Sequence, residues 1–143
     1  MKIGLKNLGP YLPFELECII IDGSVEAEKA VEMVGVNIDY VTLDALNKFD
    51  YNFDEITPIF QRIEDMTPEF KNKIRQEAAK KYNMTWIVID HMLTTLVNTN
   101  IPIDYRIKKS QKWLVDLLLE DHYDIFEFIP LGLAIDKNTF DHG

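Results

Sequence analysis

Polar and apolar residues alternate along Glu15-Leu16-Glu17-Cys18 before an apolar run, Ile19-Ile20-Ile21, and Asp22-Gly23 supplies a turn, which predicts a first β-strand. Val31–Val36 and Tyr40–Leu43 then make an antiparallel pair around Asn37-Ile38-Asp39, giving a small meander. A short helix over Val25–Val34 competes with this reading, since Glu26, Ala27, Glu28, Lys29 and Ala30 favour helix at least as much as strand. From Asp44 to Thr57 the chain turns acidic and aromatic, with Phe49, Tyr51 and Phe53 at alternate positions. The segment reads as a loop whose rings pack onto the core; an edge strand or an exposed acidic-aromatic contact surface are the alternatives.

The period then changes. Thr67-Pro68-Glu69 is a helix start: Thr caps, Pro suits the first helical position, and Glu69 complements the positive end of the dipole. The stripe Phe70, Ile74, Ala78, Tyr82 predicts a helix over 68–82 with Lys71, Lys73, Arg75, Lys80 and Lys81 on its wetter sides. Thr85 opens a second helix to about Asn98, whose apolar face is Trp86, Ile89, Leu93, Leu96 and Val97. A third is expected from Tyr105 to His122, with Ile107, Gln111, Leu114, Leu117 and Leu118 on one side, Trp113 nearby, and Arg106, Lys108, Lys109 and Lys112 in its first half. Cations at a helix N-terminus are mildly unfavourable, so that placement predicts either another use for them or ion pairs to the acidic N-terminal region. Ile125–Ile135, broken by Pro130 and Gly132, is expected to cover the core as irregular chain or short helical pieces. The resulting class is α+β, a small N-terminal antiparallel β meander packed against a C-terminal three-helix half. One domain is expected over 1–143, with 1–57 mainly β and loop and 58–143 mainly helical.

Three blocks carry a resemblance. Leu8-Gly9-Pro10-Tyr11-Leu12-Pro13-Phe14-Glu15-Leu16, Pro58-Ile59-Phe60-Gln61-Arg62-Ile63-Glu64-Asp65-Met66-Thr67, and the closing run from Asp124-Ile125-Phe126 to Gly132-Leu133-Ala134-Ile135-Asp136 stand in this order. Together they resemble a family of small proteins from genomes and prophage-like islands of Bacteroidetes. Phe14-Glu15 departs from that family's Tyr-Gly, and Glu127 from its Gly after the Phe. The resemblance implies a phage or mobile-element context and no particular activity.

Charge changes this picture more than composition does. The formal net charge is −9, but residues 1–70 hold five Lys/Arg against 14 Asp/Glu, residues 71–112 hold nine against three, and residues 113–143 hold one against seven. A basic segment therefore lies between two acidic ones, either as plain solvated surface or as partner faces. The candidate acidic surface is Asp44, Asp50, Asp54 and Glu55, with Asp39, together with Glu120, Asp121, Asp124 and Glu127; the candidate basic patch is Lys71, Lys73, Arg75, Lys80, Lys81, Arg106, Lys108, Lys109 and Lys112. Tyr82, Trp86, Tyr105 and Trp113 lie close enough in sequence to that patch for base stacking, while the pI near 4.7 opposes a polyanion partner.

No arrangement for catalysis is visible. His91, His122 and His142 are too far apart for metal-ligand spacing, and the carboxylates beside His91 and His122 are helix neighbours that do not face them. Ser24 and Ser110 have no nucleophile context, there is no glycine-rich phosphate loop, and Cys18 reads as a small core residue in phase with Leu16 and Ile20. No cofactor is expected. A lone cysteine, the absence of a signal-peptide pattern and the lack of an apolar run of about 20 residues predict a cytoplasmic protein with no membrane contact. The leading expectation is a non-enzymatic phage or mobile-element protein that binds a bacterial protein. Its sharpest form is an inhibitor of a nucleic-acid-handling defence nuclease, in the manner of an anti-CRISPR protein, with the acidic surface occupying a groove meant for nucleic acid. The alternatives are a nucleic-acid-binding accessory factor using the basic patch and a phage structural or assembly protein; oligomeric state is not legible.

Overall fold

Helix α1 (Leu5–Leu8) passes directly into a 3-10 stretch, Gly9–Phe14, in the computed structural model, which describes residues 3–21, 29–45 and 48–142, the side chains of 141 and 142 excepted. Pro10 and Pro13 remove two backbone donors, so this segment cannot run a full α ladder. Glu15, at φ +59°, turns the chain out of the helix, and strand β1 accordingly begins at Glu17 (Glu17–Ile20) rather than at Glu15.

The predicted pair follows as β2 (Val31–Val36) and β3 (Tyr40–Leu43), joined by a turn in which Asn37 Oδ1 accepts from the N–H groups of Asp39 and Tyr40, both at 2.8 Å. The helix alternative fails at Val31–Val34, which belong to β2; the Asp22-Gly23 turn, Ser24 and positions 25–28 lie outside the described residues. The acidic-aromatic segment is not a plain loop. It contributes the edge strand β4 (Asp50–Asn52), a 3-10 turn at Phe53–Glu55, and β5 (Ile56–Phe60).

The sheet order is β4-β3-β2-β1-β5-β6, antiparallel except for β6 (Ile135–Asp136), which comes from the far end of the chain and pairs parallel to β5. Strand β5 was hidden in the sequence because Pro58 sits inside it. Ile21 N–H donates to Glu55 C=O at 2.8 Å, so the bonded pairs of β1 and β5 are those in step with it and Cys18↔Pro58 falls between them. The donor that Pro58 lacks thus falls on the side away from β1, where β6 pairs only with Ile59 and Phe60.

Four helices follow the sheet in sequence: α2 (Pro68–Tyr82), α3 (Trp86–Leu96), α4 (Ile103–Lys109) and α5 (Lys112–Glu120); α6 (Lys137–His142) follows β6. Helix α2 has the predicted bounds, with Thr67 Oγ1 accepting from Phe70 N–H at 3.2 Å. The single helix expected over 105–122 is two. Ser110 Oγ donates back to Arg106 C=O at 2.8 Å, and the backbone of Ser110 and Gln111 is extended, so α4 ends and α5 restarts. This break eases the dipole mismatch, because Arg106, Lys108 and Lys109 fall in the last turn of α4, where cations are favourable, although Lys112 now opens α5.

The core runs through both halves of the chain, from Leu16, Cys18 and Ile20 on the sheet to Ile74, Ile89, Leu114 and Leu118 on the helices. Tyr11 and Tyr123 knit it together. The Tyr11 hydroxyl donates to Tyr123 C=O and accepts from Ile125 N–H, while the Tyr11 ring meets Phe60 at 4.8 Å and the Tyr123 ring meets Phe70 at 4.7 Å. As expected, the stretch covers this core as irregular chain from Ile125 to Ala134, burying Ile125, Phe128 and Ile129, but Ile135 enters strand β6 instead.

Candidate functional site

Two of the predicted surface residues are not on the surface. Asp124 is buried, and its two carboxylate oxygens accept from Phe128 N–H at 2.9 Å and Ile129 N–H at 2.8 Å, so it organises the closing segment rather than meeting a partner. Burial pushes its pKa up, against the pull of those hydrogen bonds. Arg106 is only 2% exposed and leaves the basic patch: it donates to Ile101 C=O and Leu96 C=O, both at 2.8 Å, and lies 3.3 Å from Glu127 Oε1. Glu127 is thereby tied to the fold as well.

The rest of the acidic set divides in space. Glu120 lies on α5, 3.5 Å from Lys73, and Asp121 follows it, its C=O accepting from Gln61 Nε2 at 2.6 Å. Asp44, Asp50 and Asp54 are exposed along the β3–β4 edge, where Glu55 takes Lys48 at 3.2 Å and the Asn52 N–H at 2.9 Å. The register Tyr40↔Asn52 and Thr42↔Asp50 carries Ile38 and Asp39 towards Asp54 at one end of this edge, and Leu43 N–H donates to Phe49 C=O at the other, close to Asp44. Of the three alternating rings, Tyr51 is buried, Phe53 packs against the core, and Phe49 is 60% exposed. Ile38, which no sequence argument singled out, is 79% exposed. Exposed carboxylates thus lie along the β3–β4 pair, with Ile38 in the β2–β3 turn at one end and Phe49 at the other.

Four of the nine basic residues face a carboxylate, Arg106 among them. Lys73 faces Glu120, Arg75 faces Asp90 at 3.5 Å, and Lys81 pairs with Glu77 at 3.1 Å, whose carboxylate holds the Lys81 pKa up. Lys71 lines an open groove with Arg75, Asp90, Leu93, Thr94 and Val97, and Lys109 stands 5.5 Å over the Tyr105 ring. Lys80, Lys108 and Lys112 make no ion pair among the described residues. The predicted stripes also give way at the end of α2 and the start of α3. Tyr82 is half exposed and stacks on Trp113 at 5.0 Å, and Trp86 is exposed with the Arg75 guanidinium 5.7 Å over its ring. Ile87, next to it, is 84% exposed, which a count of apolar residues alone cannot reveal.

No metal-holding group of His, Cys, Asp or Glu is found among the described residues. Cys18 is buried, and burial pushes its thiol up to about 12, far from a reactive thiolate. The His122 imidazole bonds Phe14 C=O, His91 is exposed on α3, and the side chain of His142 lies outside the described part of the chain. No protein-family model, curated protein or solved structure matches the chain. No described helix is long and apolar enough to cross a membrane.

Proposed function

We propose that the protein is a non-enzymatic accessory factor of a phage or other mobile element that acts in the bacterial cytoplasm by binding a bacterial protein through its β3–β4 edge. One observation carries the reading: the strongly exposed Ile38, in the β2–β3 turn, and Phe49, just before β4, stand at the two ends of the β3–β4 pair, which carries the exposed Asp44, Asp50 and Asp54. Apolar anchors within a polar rim are the anatomy of a protein interface, and clustered carboxylates steer towards a basic partner surface. The nucleic-acid groove of a defence nuclease has that character, which makes inhibition by occupation of such a groove the specific form of the proposal. The basic helices favour the nucleic-acid reading less, since Arg106 is buried and Lys73, Arg75 and Lys81 each face a carboxylate.

The test is expression of the tagged chain in a related bacterial host, with co-purifying partners identified before and after nuclease treatment. A stoichiometric host protein that survives nuclease and is lost in an Ile38→Ser, Phe49→Ser double variant is the expected result. Recovery of nucleic acid alone, or of the chain alone, overturns it in favour of the basic helices or of a self-assembling structural role.

A further inference from the structure

Three consecutive apolar residues at the start of α3, Trp86, Ile87 and Val88, all stand exposed, as does Tyr82 four residues earlier at the end of α2. From this knuckle between α2 and α3 we infer a self-docking surface that takes the β3–β4 edge of a second copy of the chain, head to tail. The inference rests on the same reading of that edge as an interface, and it is tested apart from host binding.

Exposure is the first argument. Ile38 and Phe49 on the β3–β4 edge and Trp86 and Ile87 on the knuckle are all exposed, so within one chain the two patches do not cover each other. Each offers apolar anchors of the kind found at the centre of an interface. The second argument is charge complementarity. Residues 78–89 hold two lysines and no acid, and Lys112 directly precedes Trp113, whose ring stacks on Tyr82 at 5.0 Å. Lys80 and Lys112 make no ion pair among the described residues, and Asp90, one turn further along α3, faces Arg75. On the other patch Asp39, Asp44, Asp50 and Asp54 face no cation among the described residues. Unlike charge around apolar anchors on both sides is what a second copy supplies. The third argument is orientation. Residues 1–70 carry 14 acids against five cations and residues 71–112 nine cations against three acids, so head-to-tail stacking brings unlike segments together although the whole chain is net −9. Because the contact joins two different faces, it propagates as a chain or ring and does not close as a two-fold dimer. A few anchors a side place it among weak contacts, with a dissociation constant on the order of 100 µM, so a bacterial protein bound more tightly at the β3–β4 edge displaces it.

Sedimentation velocity on the purified full chain decides the matter without any host protein. Between about 10 µM and about 1 mM at low salt the average sedimentation coefficient should rise with concentration. Raising the salt from about 0.05 M to about 0.5 M should weaken the association roughly tenfold. Two double variants, Ile38→Ser with Phe49→Ser and Trp86→Ser with Ile87→Ser, alter only exposed side chains and should each stay monomeric with the thermal midpoint unchanged. Mixed in equal amounts they should form a one-to-one dimer and nothing larger, because each brings the patch the other has lost. A parent that stays monomeric up to about 1 mM overturns the inference. So does a mixture that stays monomeric, or either variant associating alone as the parent does, since that would mean a contact between like patches. Should a double variant fail to fold, Phe49→Ser and Ile87→Ser run the same mixture. Host capture is read separately in cells, so loss of one reading leaves the other standing.

Discussion

Arg106 and Glu127 hold the closing segment of the chain against the helices, with Nη2 3.3 Å from Oε1. The two ends of this contact are unequal. Arg106 is almost fully buried and also satisfies the Leu96 and Ile101 carbonyls, whereas the Glu127 side chain is 43% exposed and stands on a left-handed backbone at φ +55°. Arg106→Met should therefore cost about 3–5 kcal/mol in urea unfolding, because two buried carbonyls lose their donor along with the ion pair. Glu127→Gly should cost less, about 1–3 kcal/mol, since glycine relieves the positive φ and Arg106 keeps its two carbonyls while losing its counter-charge. Equal costs at the two positions would show that the carboxylate, rather than the carbonyls, is what Arg106 serves.

Tyr11 predicts a different kind of loss. Tyr11→Phe keeps the ring contact with Phe60 and deletes only the hydroxyl that bridges Tyr123 C=O and Ile125 N–H, a change worth about 1–3 kcal/mol by chemical denaturation. Burial raises the phenol pKa of Tyr11 and pushes that of Tyr123 up to about 12. Folding therefore holds these protons more tightly than the unfolded chain does. Their contribution is complete below the ordinary value of 10.0 and is lost as pH rises through the folded values. Alkaline unfolding followed by phenolate absorbance should show both rings ionising with loss of structure, and Tyr11→Phe should remove one of the two late protons.

The N-terminal meander and the bounds of α2 were legible because each rests on a strong local signal: alternation in Val31–Val36, the Asn37 turn, and the Thr67-Pro68 start. Strand β5 was not, since its pairing with β6 joins Ile59 to Ile135 across the whole chain and its proline argues locally against a strand. The α4–α5 break lies in the extended backbone of Ser110 and Gln111, in the middle of an otherwise helical pattern. Burial of individual charges was the least legible feature. Nothing in a run of cations distinguishes Arg106, which enters the core, from Lys108 beside it, and nothing in the acidic tail sets Asp124 apart from Asp121. What distinguishes them is contact with carbonyls and N–H groups distant in sequence or brought close by irregular backbone.

Asp124 should make the fold respond to acid in the opposite sense to an ordinary paired carboxylate. Its pKa is raised in the folded state, burial outweighing the two hydrogen bonds, so between 3.8 and the folded value the native state binds more protons than the unfolded one. The resulting stability is fully present below 3.8 and is lost as pH rises through the folded pKa. Asp124→Asn cannot accept from both N–H groups through oxygen and should cost about 1–3 kcal/mol at neutral pH. Measured by urea unfolding, the gap between parent and variant should widen as the solution is acidified. A gap that narrows would mean that the hydrogen bonds, and not burial, dominate.

Cys18 gives a probe of the sheet itself. It lies opposite Val31 on one side and Pro58 on the other, with its thiol fully buried and its pKa pushed up to about 12. Alkylation by iodoacetamide at neutral pH should be far slower than for the denatured chain and should accelerate with urea in step with global unfolding. Rapid labelling of the native protein would mean that β1 opens locally while the helices stay folded.

Thr67 and Thr85 occupy the same position at the starts of α2 and α3, yet only Thr67 makes a side-chain cap, to Phe70 N–H. The first turns of the two helices differ as well. Pro68 and Glu69 prepare the first turn of α2, while α3 opens on Trp86-Ile87-Val88, three exposed apolar residues with no acid among them. Thr67→Ala should therefore cost about 1 kcal/mol and Thr85→Ala only a few tenths, roughly 0.3 kcal/mol, in paired urea titrations. A Thr85→Ala cost as large as that of Thr67→Ala would place a capping bond at the α3 start in solution, and with it a more ordered presentation of Trp86 and Ile87 than the structure gives. Thr85→Asp distinguishes the cases further: where the cap is absent, an aspartate that makes it should stabilise the fold by about 0.5–1 kcal/mol.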